Sequence, residues 1–276
     1  MTVPTPKPAA SVVLIRPRVD DGTPEIFFVK RHGKSKFMAN AYVFPGGRVD
    51  PEDSADALLA RLQGVDLADL TSRMDGVSSP EDAGGHLVAA IRETFEEAGV
   101  FLADGPEDKD ALRAELLEPG SDFGELVARE DGALHGSALA YFAHWITPVA
   151  EPRRYDARFF IAEAPVAQIA SHDQLETTDS CWLSARGAIA KYEAGEFSLA
   201  PPTWRILSDL SVFESTREMM AWARSLPTVA PILPVLTQAN GELVLALPGD
   251  RLYPGATGEA EHRIVLRSGR WWASSE

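Results

Sequence analysis

The sequence predicts an α/β (α+β) fold built around a mixed central sheet. Two short apolar segments, residues 11–17 and 25–31, flank a turn-rich link and are typical of a β-hairpin. Apolar residues recur at helical spacing through residues 87–98, which indicates a helix with one buried face. A second pair of apolar segments, 142–149 and 157–164, surrounds a basic turn and predicts two more paired strands. Strands that alternate with helices along one chain favour a mixed α/β architecture.

Two elements at the centre of the chain are marked by their end residues. The run AYVFPGG (41–47) predicts a third strand that enters a tight loop, because Pro-Gly-Gly interrupts it. The helix of residues 80–98 has Ser79 as a suitable N-cap and Pro80 in its first turn. Gly99 suits the left-handed residue that ends a helix.

The second half of the chain predicts further helices and strands. Residues 110–117 and 123–129 have helical patterning, and residues 180–197 suggest a strand followed by a helix. A helix is expected to begin at the Pro-Pro pair and run over residues 201–226. The tail, 227–276, contains short strands separated by turn residues. It is expected either to add strands to the main sheet or to cover the cleft.

Three carboxylates of the predicted central helix lie on one face. Glu93, Glu96 and Glu97 are spaced by three and four residues, which places them on the same side of a helix. A solvated acidic face is the common interpretation of such a cluster, because exposed like charges cost only a few tenths of a kcal/mol each. A magnesium site is the alternative, since Mg²⁺ takes a few carboxylates together with substrate phosphates.

The residues around this helix resemble the Nudix box, G-x5-E-x7-R-E-U-x-E-E-x-G-U, in which U is a bulky apolar residue. The matching residues are Gly47, Arg92, Glu93, Glu96, Glu97, Gly99 and Val100. Two positions depart from the box, because Asp53 stands at its first glutamate and Thr94 at its first U position.

The resemblance includes an interruption of the box. Gly47 lies 45 positions before Arg92, where the box has 14, so 31 extra residues (45 − 14) separate its two halves, at about 54–84. This insertion is itself helical in pattern. An interrupted box of this kind resembles that of the longer Nudix hydrolases related to the peroxisomal coenzyme A diphosphatases of animals. The run RHGKSKFMANAYVFPGG and the segments HWITPVAEPRRYDARFFIA and CWLSARGAIAKYEAGEFSLAPPTW are similar to the same branch.

The resemblance implies a Nudix-type α/β/α sandwich with a mixed central sheet. It covers residues 9–224 and predicts a Nudix hydrolase domain at 9–226. Residues 1–8 are expected to be a disordered lead-in, and 227–276 a C-terminal β-rich extension.

The family implies metal-dependent hydrolysis of a nucleoside diphosphate derivative, with Mg²⁺ or Mn²⁺ as the cofactor. Glu96 and Glu97 are the first expected metal ligands. Glu93 is expected to join them or to orient the attacking water, and the Gly47 carbonyl to reach a metal. Arg92, four positions before Glu96, is expected to orient a carboxylate by ion pairing.

The general base and the phosphate-binding residues are less closely specified. The base comes from the box itself or from a later glutamate, with Glu176 and Glu163 as candidates. Arginines are expected to neutralise the substrate phosphates together with the metal. The candidates are Arg31, Arg48, Arg153, Arg154 and Arg158. An ordinary surface arginine is the alternative for each of them.

Composition narrows the class of protein. A net charge of −15 argues against a non-specific nucleic-acid partner, because such binding needs clustered positive charge. No apolar run approaches the ~18 residues of a membrane-spanning helix. The first residues lack the apolar segment of a signal peptide, and the single Cys181 permits no internal disulfide, so a cytoplasmic location is expected. A homodimer is left open.

Coenzyme A or acyl-CoA is the leading substrate from the branch resemblance. ADP-ribose, a dinucleotide such as NADH, or a nucleoside triphosphate is the alternative, since the box recognises only the diphosphate. A binding module that kept the fold but lost hydrolysis is a second class, which the intact Glu93, Glu96 and Glu97 argue against. A third class is an interaction protein whose tail mediates assembly, and it predicts that no nucleotide raises the melting temperature.

Overall fold

The computed structural model describes residues 3–33, 38–173 and 175–273. Its main sheet has seven strands, with the order β3-β2-β1-β6-β5, while β4 pairs with β1 and β7 with β2. These strands are β1 (Lys7–Pro17), β2 (Pro24–Arg31), β3 (Tyr42–Val43), β4 (Gly46–Arg48), β5 (Ala140–Ile146), β6 (Tyr155–Glu163) and β7 (Thr177–Leu183). β1 and β6 run parallel and the other pairs are antiparallel, so the predicted mixed sheet and both predicted strand pairs are confirmed.

Eight α-helices surround this sheet in the part of the chain that the structure describes. They are α1 (Asp56–Leu59), α2 (Leu67–Arg73), α3 (Pro80–Ala98), α4 (Lys109–Leu116), α5 (Phe123–Arg129), α6 (Ala185–Ala194), α7 (Pro201–Leu210) and α8 (Thr216–Ser225). The helical patterns of 110–117 and 123–129 are confirmed by α4 and α5. No helix among the described residues is both long and apolar enough to cross a membrane.

The single helix predicted over residues 201–226 is wrong, because the chain breaks it after Leu210. A turn follows, and Ser215 begins a new helix by accepting a hydrogen bond from the Glu218 N–H at 3.2 Å. The break lets the apolar faces of α7 and α8 pack into one core, which contains Leu207 and Met219.

Two hydrophobic cores lie on opposite faces of the main sheet. Side chains alternate between the faces of a strand, so Val12 and Leu14 of β1 point into one core and Val13 and Ile15 into the other. The first core contains α3, the inserted helices, α4 and α5; the second contains α6, α7 and α8. The three layers of the predicted sandwich are therefore present.

The box helix α3 begins and ends as its sequence predicts. The Ser79 hydroxyl accepts a hydrogen bond from the Asp82 N–H at 3.2 Å, and Gly99 ends the helix with φ of 69°. The predicted helical insertion forms α1 and α2, which pack against α3, so α3 is buried on most of its surface.

The C-terminal extension forms a separate sheet and does not add strands to the main one. It is antiparallel, with the order β11-β10-β9-β8. Its strands are β8 (Val235–Ala239), β9 (Glu242–Ala246), β10 (Arg263–Arg267) and β11 (Arg270–Ala273). The segment that leads to β8 is held at the edge of β5, where Ile232 makes two backbone hydrogen bonds of 2.9 Å with His144 and Ile146.

The N-terminal strand begins earlier than the predicted domain boundary. β1 starts at Lys7, so residues 7 and 8 of the expected disordered lead-in belong to the sheet. Their pairing has a physical cause: Lys7 and Pro8 lie beside Tyr155 and Asp156 of β6 in the parallel ladder, and the Lys7 N–H donates to the Arg154 carbonyl at 2.9 Å.

Candidate active site

The acidic residues of α3 lie in a cleft of about 1070 Å³. The cleft is bounded by α3, the loop around β4, the segment before β7, the start of α7 and the C-terminal sheet. Its charged lining residues include Arg31, Arg48, Arg92, Glu93, Glu96, Glu97, Asp173 and Glu176. The structure therefore brings together all three predicted carboxylates, both candidate arginines from the first half of the chain and one candidate base.

Arg92 orients the carboxylates around it, as the sequence predicts. Its Nε and Nη2 each donate to one oxygen of Asp53 at 2.9 Å. Its Nη1 donates to Glu93 at 2.9 Å and to Glu96 at 3.2 Å, and Nη2 also donates to the Arg48 carbonyl at 3.0 Å. Burial opposes the charge of Arg92, but the hydrogen bond and charge of Asp53 and the neighbouring glutamates raise its pKa. The guanidinium therefore stays charged.

Asp53 holds Arg92 in place, although it departs from the expected glutamate. The residue is 2% exposed, and besides the two bonds from Arg92 its side chain accepts the Asp50 N–H at 2.8 Å. The shorter carboxylate is reached because it lies in a 3-10 turn, Pro51–Ser54, that packs beside α3. Thr94, the second departure, is also accommodated, since its hydroxyl donates to the Ala90 carbonyl at 2.6 Å.

The two glycines of β4 let backbone approach the carboxylates. The Gly46 N–H donates to Glu97 Oε2 at 2.9 Å. A Cβ on Gly47 would lie 2.2 Å from Glu93 Oε1. A Cβ on Gly46, which has φ of +154°, would lie 2.4 Å from the Ala10 carbonyl oxygen. Only glycine fits at either position without displacing a neighbour.

The three glutamates are held where negative charge is unfavourable. Burial raises the pKa of Glu93 to about 7, with Arg92 opposing the shift and Glu96 adding to it. Burial also raises the pKa of Glu96. The pKa of Glu97 is raised well above its usual range by burial and by Glu93, against the Gly46 N–H and Arg31. Three carboxylates with raised pKa values form a site that added positive charge would stabilise.

Asp173 positions the loop that carries Glu176. Its Oδ1 accepts the N–H groups of Leu175 and Thr177 at 2.9 Å, and its Oδ2 accepts the Glu176 N–H at 3.3 Å. Glu176 is exposed in the cleft, and its charge contributes to the raised pKa of Glu96. The loop therefore places a carboxylate near the charged end of the cleft.

Arg31 and Arg48 are the candidate arginines that line the cleft. The charge of Arg31 acts on Glu97 and partly offsets its raised pKa. Arg48 is exposed, and its guanidinium lies 3.9 Å from Asp50 in a weak ion pair. Both side chains are placed to bind an anionic ligand. The electrostatic effect of Arg31 on Glu97 indicates that Arg31 lies close to the carboxylates.

The other candidates do not line this cleft. Arg154 is buried and donates to the carbonyls of Thr147 and Pro4 at 3.0 and 2.9 Å, so its prediction as a substrate-binding residue is wrong. Arg158 donates to the Asp75 carbonyl and to His86 on the α3 face of the sheet. The remaining two, Arg153 and Glu163, are exposed outside the cleft lining.

Metal coordination is not preformed in the present side-chain positions. In the described ranges, no group of three or more His, Cys, Asp or Glu side chains is placed to hold a metal ion. Glu93 and Glu96 turn toward Arg92 instead, while Glu97 binds the Gly46 N–H. The chemistry of the donors nevertheless fits a hard dication, because such ions bind carboxylate and carbonyl oxygens. Residues 34–37, part of the family-like approach to the box, lie outside the described residues.

Two residues of the site were not predicted from the sequence. Asp173 precedes Glu176 by three positions, a spacing typical of side chains that accept backbone N–H groups in turns, and this was the available signal. Arg113 of α4 donates to the Glu96 carbonyl at 3.0 and 2.7 Å and to Ser171. It therefore stabilises the C-terminal end of α3 and ties it to the Asp173 loop, a contact that no local pattern predicts.

Comparisons with known proteins agree with this geometry. The model of the NUDT19 Nudix domain matches residues 7–210. The acyl-coenzyme A diphosphatase NUDT19 of Gallus gallus is 31% identical, over 83% of this chain and 73% of its own length. The protein of that name from Xenopus laevis is 30% identical, over 86% and 74%. The crystal structure of a NUDIX hydrolase from Alicyclobacillus acidocaldarius superimposes with a TM-score of 0.67 at 23% identity, covering 80% of this chain and 97% of that one.

Proposed function

The chain belongs to the NUDT19 Nudix domain family and is a Nudix hydrolase, and on that premise we propose that it cleaves the pyrophosphate link of coenzyme A or acyl-CoA. The relatives named acyl-coenzyme A diphosphatases support this substrate class. The observation that carries the proposal is a set of three carboxylates, the buried Glu97 and the partly buried Glu93 and Glu96, at the charged end of a cleft large enough for a nucleotide derivative.

The residues of this chain supply positioning and charge in the proposed reaction. Water attacks one phosphorus of the P–O–P link, and the oxygen that bridged it leaves with the other phosphate. Phosphoryl transfer depends mainly on positioning and on neutralising charge, so a serine or cysteine nucleophile is not needed. Arg31 and Arg48 would bind the phosphate oxygens, because both line the cleft beside α3. Arg92 acts as a positioning residue, since Asp53 and the Arg48 carbonyl hold its guanidinium against the glutamates.

Nudix hydrolases generally use divalent metal ions, and we propose Mg²⁺ or Mn²⁺ here. Glu96, Glu97, Glu93 and the Gly47 carbonyl would hold the ions. When bound, such an ion neutralises the diphosphate and lowers the pKa of a coordinated water. For Glu93 and Glu96 to serve as ligands, each must exchange its hydrogen bond from Arg92 Nη1 for the metal. Asp53 would keep Arg92 charged and in place during that exchange.

Glu176 is the proposed general base. It is exposed in the cleft, which lets water reach it, and Asp173 holds its backbone. Glu163, the other candidate, lies on β6 four residues beyond Phe159, which lines the cleft. Four residues of strand span about 13 Å, so Glu163 is poorly placed to meet the same water.

The proposal is tested with a substrate panel of coenzyme A, acyl-CoA, ADP-ribose and NADH. Each is incubated with and without Mg²⁺ or Mn²⁺, and products are identified by phosphorus NMR and chromatography. The expected result is metal-dependent release of 3′,5′-ADP and a phosphopantetheine product. Faster cleavage of ADP-ribose or NADH would reject coenzyme A derivatives as the substrate class in favour of those nucleotides. Tight binding of coenzyme A without cleavage would indicate a binding module. Glu176→Gln should slow hydrolysis without weakening substrate binding, and an unchanged rate would remove Glu176 as the base.

A further inference from the structure

One wall of the cleft comes from the C-terminal sheet, which lies outside the matched Nudix domain. The family model ends at residue 210, but Pro234, Leu236, Leu245 and Trp271 line the same cleft as the α3 carboxylates. All four are apolar. The C-terminal extension therefore forms part of the cleft wall, and the four residues that it contributes carry no charge.

The lining residues of this sheet lie on one face. Cross-strand partners share a face of a sheet, and Leu236 of β8 is paired with Leu245 of β9, which is paired with Ile264 of β10. Trp271 of β11 is paired with Leu266, two residues after Ile264 and hence on the same side. The face is continuous from β8 to β11, and its apolar side chains point toward the Nudix domain.

The opposite wall of this part of the cleft is also apolar. Trp145 of β5 and Phe159 of β6 line it from the main sheet, and Pro201 and Pro202 line it from the start of α7. The arginines come instead from β2, β4 and α3, and most of the carboxylates come from α3 and the Asp173 loop. Glu151, in the turn between β5 and β6, is the charged lining residue on the main-sheet side. The cleft therefore has a charged region for a diphosphate and an apolar region between two sheets. Its volume of about 1070 Å³ is slightly above the usual range for small-molecule sites, so a diphosphate would leave much of it open.

The apolar wall is held in place before any ligand binds. The Tyr192 hydroxyl of α6 donates to the Trp271 carbonyl at 2.8 Å and accepts the Trp271 N–H at 2.6 Å. At the other end, Ile232 is bonded to the backbone of β5. A preorganised apolar surface loses little conformational entropy when it receives a hydrocarbon chain.

We propose that the C-terminal sheet binds the acyl chain of an acyl-CoA substrate, with Trp271 and Leu236 as residues that determine chain-length preference. The proposal rests on the proposed function, since it assigns the second part of the same substrate. The acyl chain lies between the apolar face of β8, β9 and β11 and the face of the main sheet that carries Trp145. Each buried methylene is worth about fourfold in binding, so preference should rise with chain length until the apolar region is filled.

The test measures kcat/KM for coenzyme A and for its butyryl, octanoyl and palmitoyl esters. In the unaltered protein, octanoyl-CoA should be preferred over coenzyme A. Trp271→Ala should lower that ratio about tenfold, and Leu236→Gln should lower it about fivefold, mainly through KM. Thr237→Gln is the matched control for Leu236→Gln, because Thr237 is the next residue on β8, faces the other side and does not line the cleft. Its ratio should stay within twofold of the unaltered protein.

The outcomes separate this proposal from the proposed function. Cleavage of coenzyme A at a rate independent of the acyl chain would overturn the role of the C-terminal sheet and leave the proposed function standing. The same conclusion follows if both variants keep the unaltered ratio, or if Thr237→Gln lowers it as much as Leu236→Gln. Failure to cleave any CoA compound would instead overturn the proposed function. Thermal melting checks the fold of each variant, and Leu236→Gln, at a half-buried position, serves if Trp271→Ala does not fold.

Discussion

Replacing Gly47 with alanine should impair hydrolysis while leaving the fold intact. The new Cβ would lie 2.2 Å from Glu93 Oε1 and within 2.5 Å of the rest of that carboxylate. Ordinary contact begins at 3.4 Å, so the carboxylate must move by about 1.2 Å (3.4 − 2.2). That movement disrupts the 2.9 Å hydrogen bond from Arg92 and displaces a proposed metal ligand. A misplacement of this size costs about 100-fold in rate, or about 3 kcal/mol of transition-state stabilisation.

The glycine beside it provides the control. The φ of Gly47 is not in the left-handed region, and the group in its way is a side-chain carboxylate, so Gly47→Ala should melt within a few degrees of the unaltered protein. Gly46→Ala instead places its Cβ against the backbone of Ala10 and Ser11 at a φ of +154°, which should destabilise the fold by about 2 to 4 kcal/mol. The assays are kcat/KM with saturating Mg²⁺ and thermal melting. A Gly47→Ala protein with a rate within threefold of the unaltered one, or a Gly46→Ala protein of unaltered stability, would refute this reasoning.

Two further predictions concern buried ionisable groups. Glu97→Gln should reduce kcat/KM by about two orders of magnitude and abolish the Mg²⁺-induced rise in melting temperature. Without metal, the variant should melt no lower than the unaltered protein, because the amide oxygen still accepts the Gly46 N–H and the amide no longer repels Glu93. His86 has its pKa lowered from 6.5 to about 4, first by burial and then by Arg158, so the unfolded chain binds the proton more tightly than the folded one. The contribution of His86 to stability is therefore complete above pH 6.5 and declines as the pH falls toward 4, by about 2 kcal/mol at pH 5. His86→Gln should remove this dependence in urea denaturation between pH 7.5 and 5, and equal slopes in both proteins would contradict it.

Local patterns predicted the elements that carry the site. The hairpin of β1 and β2 follows from two apolar segments around a turn, and α3 follows from its spacing and its two end residues. The family resemblance assigns Gly47 and the glutamates to one site across the insertion, and in the structure a Cβ on Gly47 would lie 2.2 Å from Glu93 Oε1. The first kind of evidence rests on short spacings, whereas the second joins residues at least 45 positions apart and needs the family pattern.

The failures concern residues whose role depends on distant partners. Arg154 resembles a surface arginine in the sequence, but its donors reach the carbonyls of Thr147 and Pro4, which only the folded β5–β6 turn and N-terminus bring near. The break after Leu210 depends on how α7 and α8 share one core, which helical periodicity does not encode. The position of the C-terminal sheet over the cleft likewise depends on Ile232 and Tyr192, one at an edge of the main sheet and one on a helix.

The insertion between Gly47 and Arg92 changes how the two halves of the box meet. Lengthening the connection from 14 to 45 residues adds only about 1 kcal/mol to the entropy of closing it, because that cost grows with the logarithm of the length. The effect on folding speed is expected to be larger, since contacts far apart in sequence form more slowly than local ones. The hydrolytic centre should therefore be among the last parts of the chain to assemble. During refolding, enzymatic activity should return more slowly than the helical circular dichroism signal.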